Sequence, residues 1–344
     1  MKEQLDLLCE QAAGLFVYAM AMVKFVDHRN NDPKEQLGRL LQSPESSALE
    51  GKATLRENTT LDSLYALILQ EAFGSNDPED DPKVRSILGA VILTVNPLSP
   101  FTIATLLSLS PESVLHQLSS VHSLLILQDL NQPVRPFHKS FPDFIIDPTR
   151  CINGRFRVSP PSQHLELLVS CLELMNQKLE KNMCNLPDGV TNSKVANLHE
   201  QNGRYIDPAL QYACKSWHIH LINEQTVHRP KVVSTLHQFL EKKLLFWLEV
   251  LSVLGATREA VNALDVVVKG SEVCQVYMLD VLPELTQTES RTHQPSTSSS
   301  TAFDLSLDSS RSSTNLLHIS ITRPSCCPPK HQSCGNCTNH TPIP

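Results

Sequence analysis

The chain has 344 residues, long enough for two or three compact domains, and its low aromatic share, eleven glycines and leucines at helical spacing predict a mostly α protein rather than a large β-sandwich. A net charge of −7 with no domain-sized basic segment argues against nucleic acid as the default partner. Six of the ten cysteines (Cys9, Cys151, Cys171, Cys184, Cys214 and Cys274) fall singly in helical stretches, as small buried hydrophobes do in a reducing compartment, so a cytoplasmic chain is expected.

The first apolar run, "AAGLFVYAMAMV", follows Glu3, Asp6 and Glu10 and is closed by Lys24. A bilayer span needs about 20 apolar residues and a signal peptide needs a basic front, so no membrane partner is expected. Leu5, Leu8, Cys9, Ala12, Leu15, Phe16, Ala19 and Val23 instead predict the core-facing stripe of one helix over residues 3–26, with Gly14 marking a kink or a close approach. Thr60 is the predicted cap of "LDSLYALILQEAF", with Asp62 in its first turn. Residues 1–75 form the expected helical domain.

Residues 82–158 read as a winged-helix-like domain. Asp81-Pro82 opens "KVRSILGAVILTV", "NPLS" breaks it, "PFTIATLLSL" follows, and Ser110-Pro111 opens "ESVLHQLSSV" with serine at the cap and proline at the first helical position. Two strands, "LLILQ" and "VRPFH", joined by "DLNQP", complete three helices and a small β-hairpin. Winged helices often read DNA with the third helix. Here no lysine or arginine occurs between Arg85 and Arg135, and the third helix offers Glu112, His116 and Gln117, which neutralise no phosphate.

After a strand-like "RFRVS", Ser162 is the predicted cap of a helix carrying Leu165, Leu168, Cys171, Leu172, Met175 and Leu179 on one face. The loop "PDGVTNSK" leads to a second start at Asp207-Pro208, and further helices cover "STLHQFLEKKLLFWLEVLSVLG" and "TREAVNALDVVV". Residues 160–268 are therefore expected to form an α-hairpin stack of the kind that packs against partners. The Ser/Thr/Pro/Cys-rich tail, 283–344, lacks the apolar content to offset its ordering entropy and is expected to be disordered.

The motifs that would mark an enzyme are not in this sequence. It contains no G-x-x-x-x-G-K-[ST], G-x-G-x-x-G or G-x-S-x-G. In "PFHKSFPDFIID", His138 and Ser140 resemble half of a nucleophile pair, but two positions on one helix point about 200° apart, so no hydrogen bond between them is expected. The structural reading makes Phe137, Phe141, Phe144 and Ile145 the core face of a short helix, with His138 or Ser140 satisfying its free backbone N–H groups. No catalytic residue is assigned. In the tail, Cys326, Cys327, Cys334 and Cys337 have zinc-like spacing, with His331 and His340 nearby. The adjacent thiols and the lack of an apolar surround favour adventitious cysteines, so no metal and no cofactor are assigned.

"GLFVYA", "LDSLYALILQEAF", "VRSILGAVILTVNPLS", "SSVHSLLILQ", "RPFHKSFPDFIIDPTRC" and "ALQYACKSW", taken in this order over residues 5–268, resemble the region that follows the nucleotide-binding core in fungal NACHT-domain proteins. These proteins are similar to the STAND class of intracellular receptors. The resemblance implies a helical domain, a winged helix and a second helical segment, non-catalytic regulation through protein contacts, and partnership with a NACHT NTPase module or self-association. It also implies that His138, at the position of a winged-helix histidine that meets the ADP phosphate, senses nucleotide once a NACHT core is present. The family's phosphate loop and Mg²⁺ carboxylates are not in this sequence, and a serine-rich tail stands where repeats would follow, so a truncated member is expected. A freestanding helical-repeat adaptor and, less favoured, a winged-helix DNA-binding protein are the alternatives.

Overall fold

At Ser99, Ser110 and Asp207 a side-chain acceptor stands directly before a proline and a helix begins. The computed structural model describes residues 15–27, 32–41, 53–74, 81–187, 197–222, 230–270, 302–307 and 317–322, with a few isolated positions beside them. The first helices are α1 (Phe16–Val26), α2 (Pro33–Leu41) and α3 (Ala53–Phe73). They are followed by α4 (Asp81–Leu93), α5 (Pro100–Leu107), α6 (Pro111–Ser120), β1 (Leu125–Ile126), β2 (Arg135–Pro136) and α7 (Ser140–Ile146). Then come α8 (Pro160–Lys178), α9 (Leu198–Tyr205), α10 (Pro208–Leu221), α11 (Pro230–Lys242), α12 (Leu244–Val253) and α13 (Thr257–Gly270). The mostly α class holds. In the tail, β3 (Ala302–Leu307) and β4 (Leu317–Thr322) pair antiparallel, from Ala302 opposite Thr322 to Leu307 opposite Leu317. The rest of 283–344 lies outside the described residues.

Two starts, Ser110-Pro111 and Asp207-Pro208, fall where the sequence predicts them, and Ser99-Pro100 uses the same chemistry. Ser99 Oγ accepts from the Thr102 N–H at 3.2 Å, Ser110 Oγ from Ser113 N–H at 3.2 Å, and Asp207 Oδ1 from Leu210 N–H at 2.9 Å, each ahead of a proline at the first turn. Two predicted caps are displaced. α8 begins at Pro160, before Ser162, because Pro160 and Pro161 already carry a helical φ and need no N–H partner in the first turn. α3 begins at Ala53, which leaves Thr60 inside the helix and frees Asp62 for a distant arginine.

The single helix expected over 3–26 is interrupted at Leu15, whose ψ of 104° is extended. A helix restarted there takes a new phase, so its buried face is Tyr18, Ala21, Met22 and Phe25, while Phe16 and Val23 are 75% and 58% exposed. Gly14 and Leu5 lie outside the described residues. "RFRVS" is not a strand: a turn ends at Phe156, and 157–159 carry no regular structure. Asn153 Oδ1 accepts from Arg155 N–H at 3.0 Å, a local turn bond that replaces extended backbone there, and the Arg155 guanidinium forks onto Asp81 at 2.8 and 2.9 Å. The β1–β2 ladder is only Leu125 opposite Pro136 and Ile126 opposite Arg135. Pro136 has no N–H to extend it, and Val134 N–H bonds to Leu98 O in the α4–α5 connection at 2.9 Å.

One connected apolar core runs through the described residues. α8 packs on α10 and α11, and α10 also meets α5 and α13. At the centre Trp217, Trp247 and Phe239 meet edge-on, with ring centroids 5.4–6.0 Å apart, and Trp247 Nε1 donates to Cys214 O at 2.9 Å. α4 approaches α8 through Gly89, where a Cβ would lie 2.3 Å from the buried Gln163 side chain. Cys151, Cys171, Cys184 and Cys214 are buried free thiols, and Cys9 is exposed. Cys274 lies outside the described residues.

Between α8 and α10 sits a polar group with no access to water. His220 is 0% exposed; its Nδ1 is 2.9 Å from His164 Nδ1 and its Nε2 is 2.9 Å from the Tyr212 hydroxyl. Burial first, then the neighbouring His164 and His218, depress His220 from 6.5 to about 3, and burial also lowers His164. Below the ordinary histidine value the unfolded chain takes up a proton that the folded chain refuses. Stability is therefore full above that value and is lost as pH falls through it towards the depressed one. Urea unfolding should show the chain losing about 2 kcal/mol through His220 between about pH 7 and about pH 5, and His220→Gln should remove that share of the acid dependence. An unchanged acid slope in the variant would contradict this.

Candidate functional site

The block "PFHKSFPDF" is assembled on α3. Phe141, Phe144 and Ile145 of α7 are buried, and the two phenyl rings flank Tyr65 at centroid distances of 5.5 and 5.4 Å. α7 is too short to be stable alone, so this aromatic seat fixes where it begins. Burial is the main cause that raises the Tyr65 phenol above its ordinary value. That hydroxyl reaches Ser140 Oγ at 2.7 Å.

His138 and Ser140 do meet, contrary to the helical-separation reading. His138 Nδ1 lies 2.7 Å from Ser140 Oγ and accepts from the Ser140 backbone N–H at 3.2 Å. The reason is that α7 starts at Ser140. His138 therefore precedes the helix, and its ring folds forward over the first turn instead of projecting from the next face. Ser140 is half-buried and engaged on both sides, while the imidazole is exposed. Phe137, expected in the core, is half-buried: its N–H bonds to Leu124 O at 2.8 Å and its ring lies 4.1 Å beneath Lys24 Nζ. Lys24 O is in turn 3.1 Å from His122 Nε2, which joins α1 to the segment after α6. The imidazole thus stands where α1, α3 and the β2–α7 connection converge.

Two guanidinium forks brace this junction. Arg150 holds Asp62 through Nε–Oδ2 at 2.9 Å and Nη2–Oδ1 at 2.6 Å, with side chains 23% and 14% exposed. Arg155 holds Asp81 in the same way, and that pairing keeps the Asp81 carboxyl below its ordinary value. Asp147 closes the turn after α7 by accepting from Thr149 N–H at 2.8 Å and Thr149 Oγ1 at 2.7 Å; these bonds lower its carboxyl too. Tyr65, Arg150 and Arg155 went unnoticed in the sequence because their partners lie 75, 88 and 74 residues away, with no local pattern to announce them.

No group of three or more His, Cys, Asp or Glu among the described residues could hold a metal ion. Cys326, Cys327, Cys334 and Cys337 lie outside those residues. What the junction offers chemically is one exposed imidazole on a rigid, buttressed backbone.

Fold and site together define a mostly helical protein with a braced histidine at a junction of elements. No family model matches the chain, and no solved structure does. Over 230 residues it is 27% identical to the vegetative incompatibility protein HET-E-1 of Podospora anserina, a match that takes in 59% of this chain and 16% of that protein. The chain therefore spans a small part of the length of the curated relative it matches.

Removing one partner of the Asp62–Arg150 fork strands the other charge at a partly buried site. Arg150→Met should cost about 2 kcal/mol in urea unfolding, and adding Asp62→Leu to it should cost less than the two single changes summed. Strict additivity would show that the fork contributes no coupling.

Proposed function

We propose that the chain is a non-catalytic regulatory segment of a NACHT-type intracellular receptor, acting in STAND signalling through contacts with a NACHT NTPase module or with another copy. The observation that carries this reading is the exposed His138 imidazole, buttressed by Ser140 and Tyr65 in the block that resembles the receptors' nucleotide-sensing winged helix. An imidazole N–H can donate to a phosphate oxygen and so register which nucleotide a neighbouring module holds. The match to a vegetative incompatibility protein supports the kinship.

In this reading α4, α5, α6 and the β1–β2 hairpin are the winged helix, and α8 to α13 are the helical stack. The chain brings the sensing side chain, and the phosphate cradle comes from the NACHT module, since this sequence contains no phosphate-loop motif. Alone, it binds ATP or ADP weakly and hydrolyses neither. DNA reading is disfavoured by α6, where Glu112, Ser113 and His116 are the exposed side chains. A membrane role has no support from the helices: among the described residues none is long and apolar enough to cross a bilayer.

The test is to mix the full chain with a related fungal NACHT module loaded with ADP and measure association by sedimentation. A complex should form with ADP, and His138→Ala should weaken it about ten- to a hundredfold, the size of one phosphate hydrogen bond. Association and ADP retention unchanged by the substitution, or ATP hydrolysis by the chain alone, would overturn the proposal.

A further inference from the structure

The geometry points to Ser140 and Tyr65 as positioning residues for His138: a two-hydroxyl relay that holds the ring in its Nε2–H tautomer and presents one N–H donor to solvent. The deduction starts from the one hydrogen whose position is fixed. The Ser140 backbone N–H can only donate, and it points at His138 Nδ1 across 3.2 Å. Nδ1 must therefore be the unprotonated ring nitrogen, because an Nδ1–H would set two donors against each other. The 2.7 Å contact from Nδ1 to Ser140 Oγ then has to use the serine's own hydrogen. Having donated it there, Ser140 Oγ is the acceptor in its 2.7 Å contact with Tyr65, whose phenol supplies the hydrogen. Donation runs one way, from Tyr65 to Ser140 to His138, and the remaining ring proton sits on Nε2.

Each member has the burial its place in the relay requires. Tyr65 is buried between Phe141 and Phe144, so its phenol is held in one orientation and finds Ser140 in place of water. Ser140 is half-buried and His138 exposed, so order passes from the core to a side chain that would otherwise sample several rotamers and both tautomers. Histidine commonly has one ring nitrogen fixed by a second group so that the other is ready for a ligand. The relay rests on the chain alone; its use, aiming a donor at an anionic phosphate, rests on the function proposed above.

The experiment is a long-range ¹H–¹⁵N correlation spectrum of the full chain carrying ¹⁵N-labelled histidine, recorded where the imidazole is neutral. The His138 signal is identified by its loss in His138→Gln. In the unsubstituted chain Nε2 should show the shift of a protonated ring nitrogen and Nδ1 that of an unprotonated one. In Ser140→Ala, and to a lesser degree in Tyr65→Phe, the two shifts should move towards each other as the tautomers mix. An Nδ1–H ring in the unsubstituted chain overturns the relay, a result that does not depend on either variant folding. Shifts unmoved in both variants, with circular dichroism and melting like those of the unsubstituted chain, also overturn it. Ser140→Ala should further weaken the complex with the ADP-loaded NACHT module in the same direction as His138→Ala. If the shifts move and that complex is unaffected, the nucleotide reading fails and the relay stands.

Discussion

The candidate site depends on the seating of α7 against Tyr65. Seven residues cannot hold a helix in water, since the cost of nucleating a first turn is recovered only over many more hydrogen bonds. Phe141 and Phe144 supply what the helix lacks by enclosing the Tyr65 ring, and the phenol then reaches the residue that opens the helix. One side chain therefore sets both where α7 lies and where its first turn begins. His138, just ahead of that turn, inherits its position.

The forks Asp62–Arg150 and Asp81–Arg155 make this seat part of a larger frame. Asp62 lies one turn before Tyr65 on α3, and Arg150 lies just beyond α7, so the fork closes the same junction from its other end. Arg155 ties the following turn to the first residue of α4 and donates to Gly74 O at 3.4 Å as well. Planar guanidinium groups suit this task because two parallel hydrogen bonds fix direction as well as distance. Elsewhere, between α8 and α10, Tyr212 and His164 enclose the fully buried His220 imidazole, whose pKa burial lowers.

Local chemistry made much of the fold readable. Ser99, Ser110 and Asp207 each stand before a proline, and each caps a helix there, because cap and proline act within four residues of one another. What stayed hidden was set by distance or by phase. Thr60 was a reasonable cap by type, yet α3 extends back to Ala53 and its burial is decided by packing. The stripe through Phe16 and Val23 assumed an unbroken helix, and one extended residue at Leu15 turned that face outward. In the tail, Phe303, Leu305 and Leu307 alternate with polar residues, as do Leu317, Ile319 and Ile321; composition pointed to disorder, whereas this period-two pattern marks the paired strands. The sequence marks His138 as a residue to weigh, but its bond to Ser140 depends on the helix beginning two residues later than the histidine.

If Tyr65 seats α7, then loss of its ring should release that helix while leaving the distant core closed. Native-state hydrogen exchange measures this most directly, since local opening is read amide by amide. In Tyr65→Ala the amides of Ser140–Ile146 should lose most of their protection, while those of Pro208–Leu221, at the Trp217–Trp247 core, keep theirs. Protection of α7 that survives the loss of Tyr65 would contradict the account.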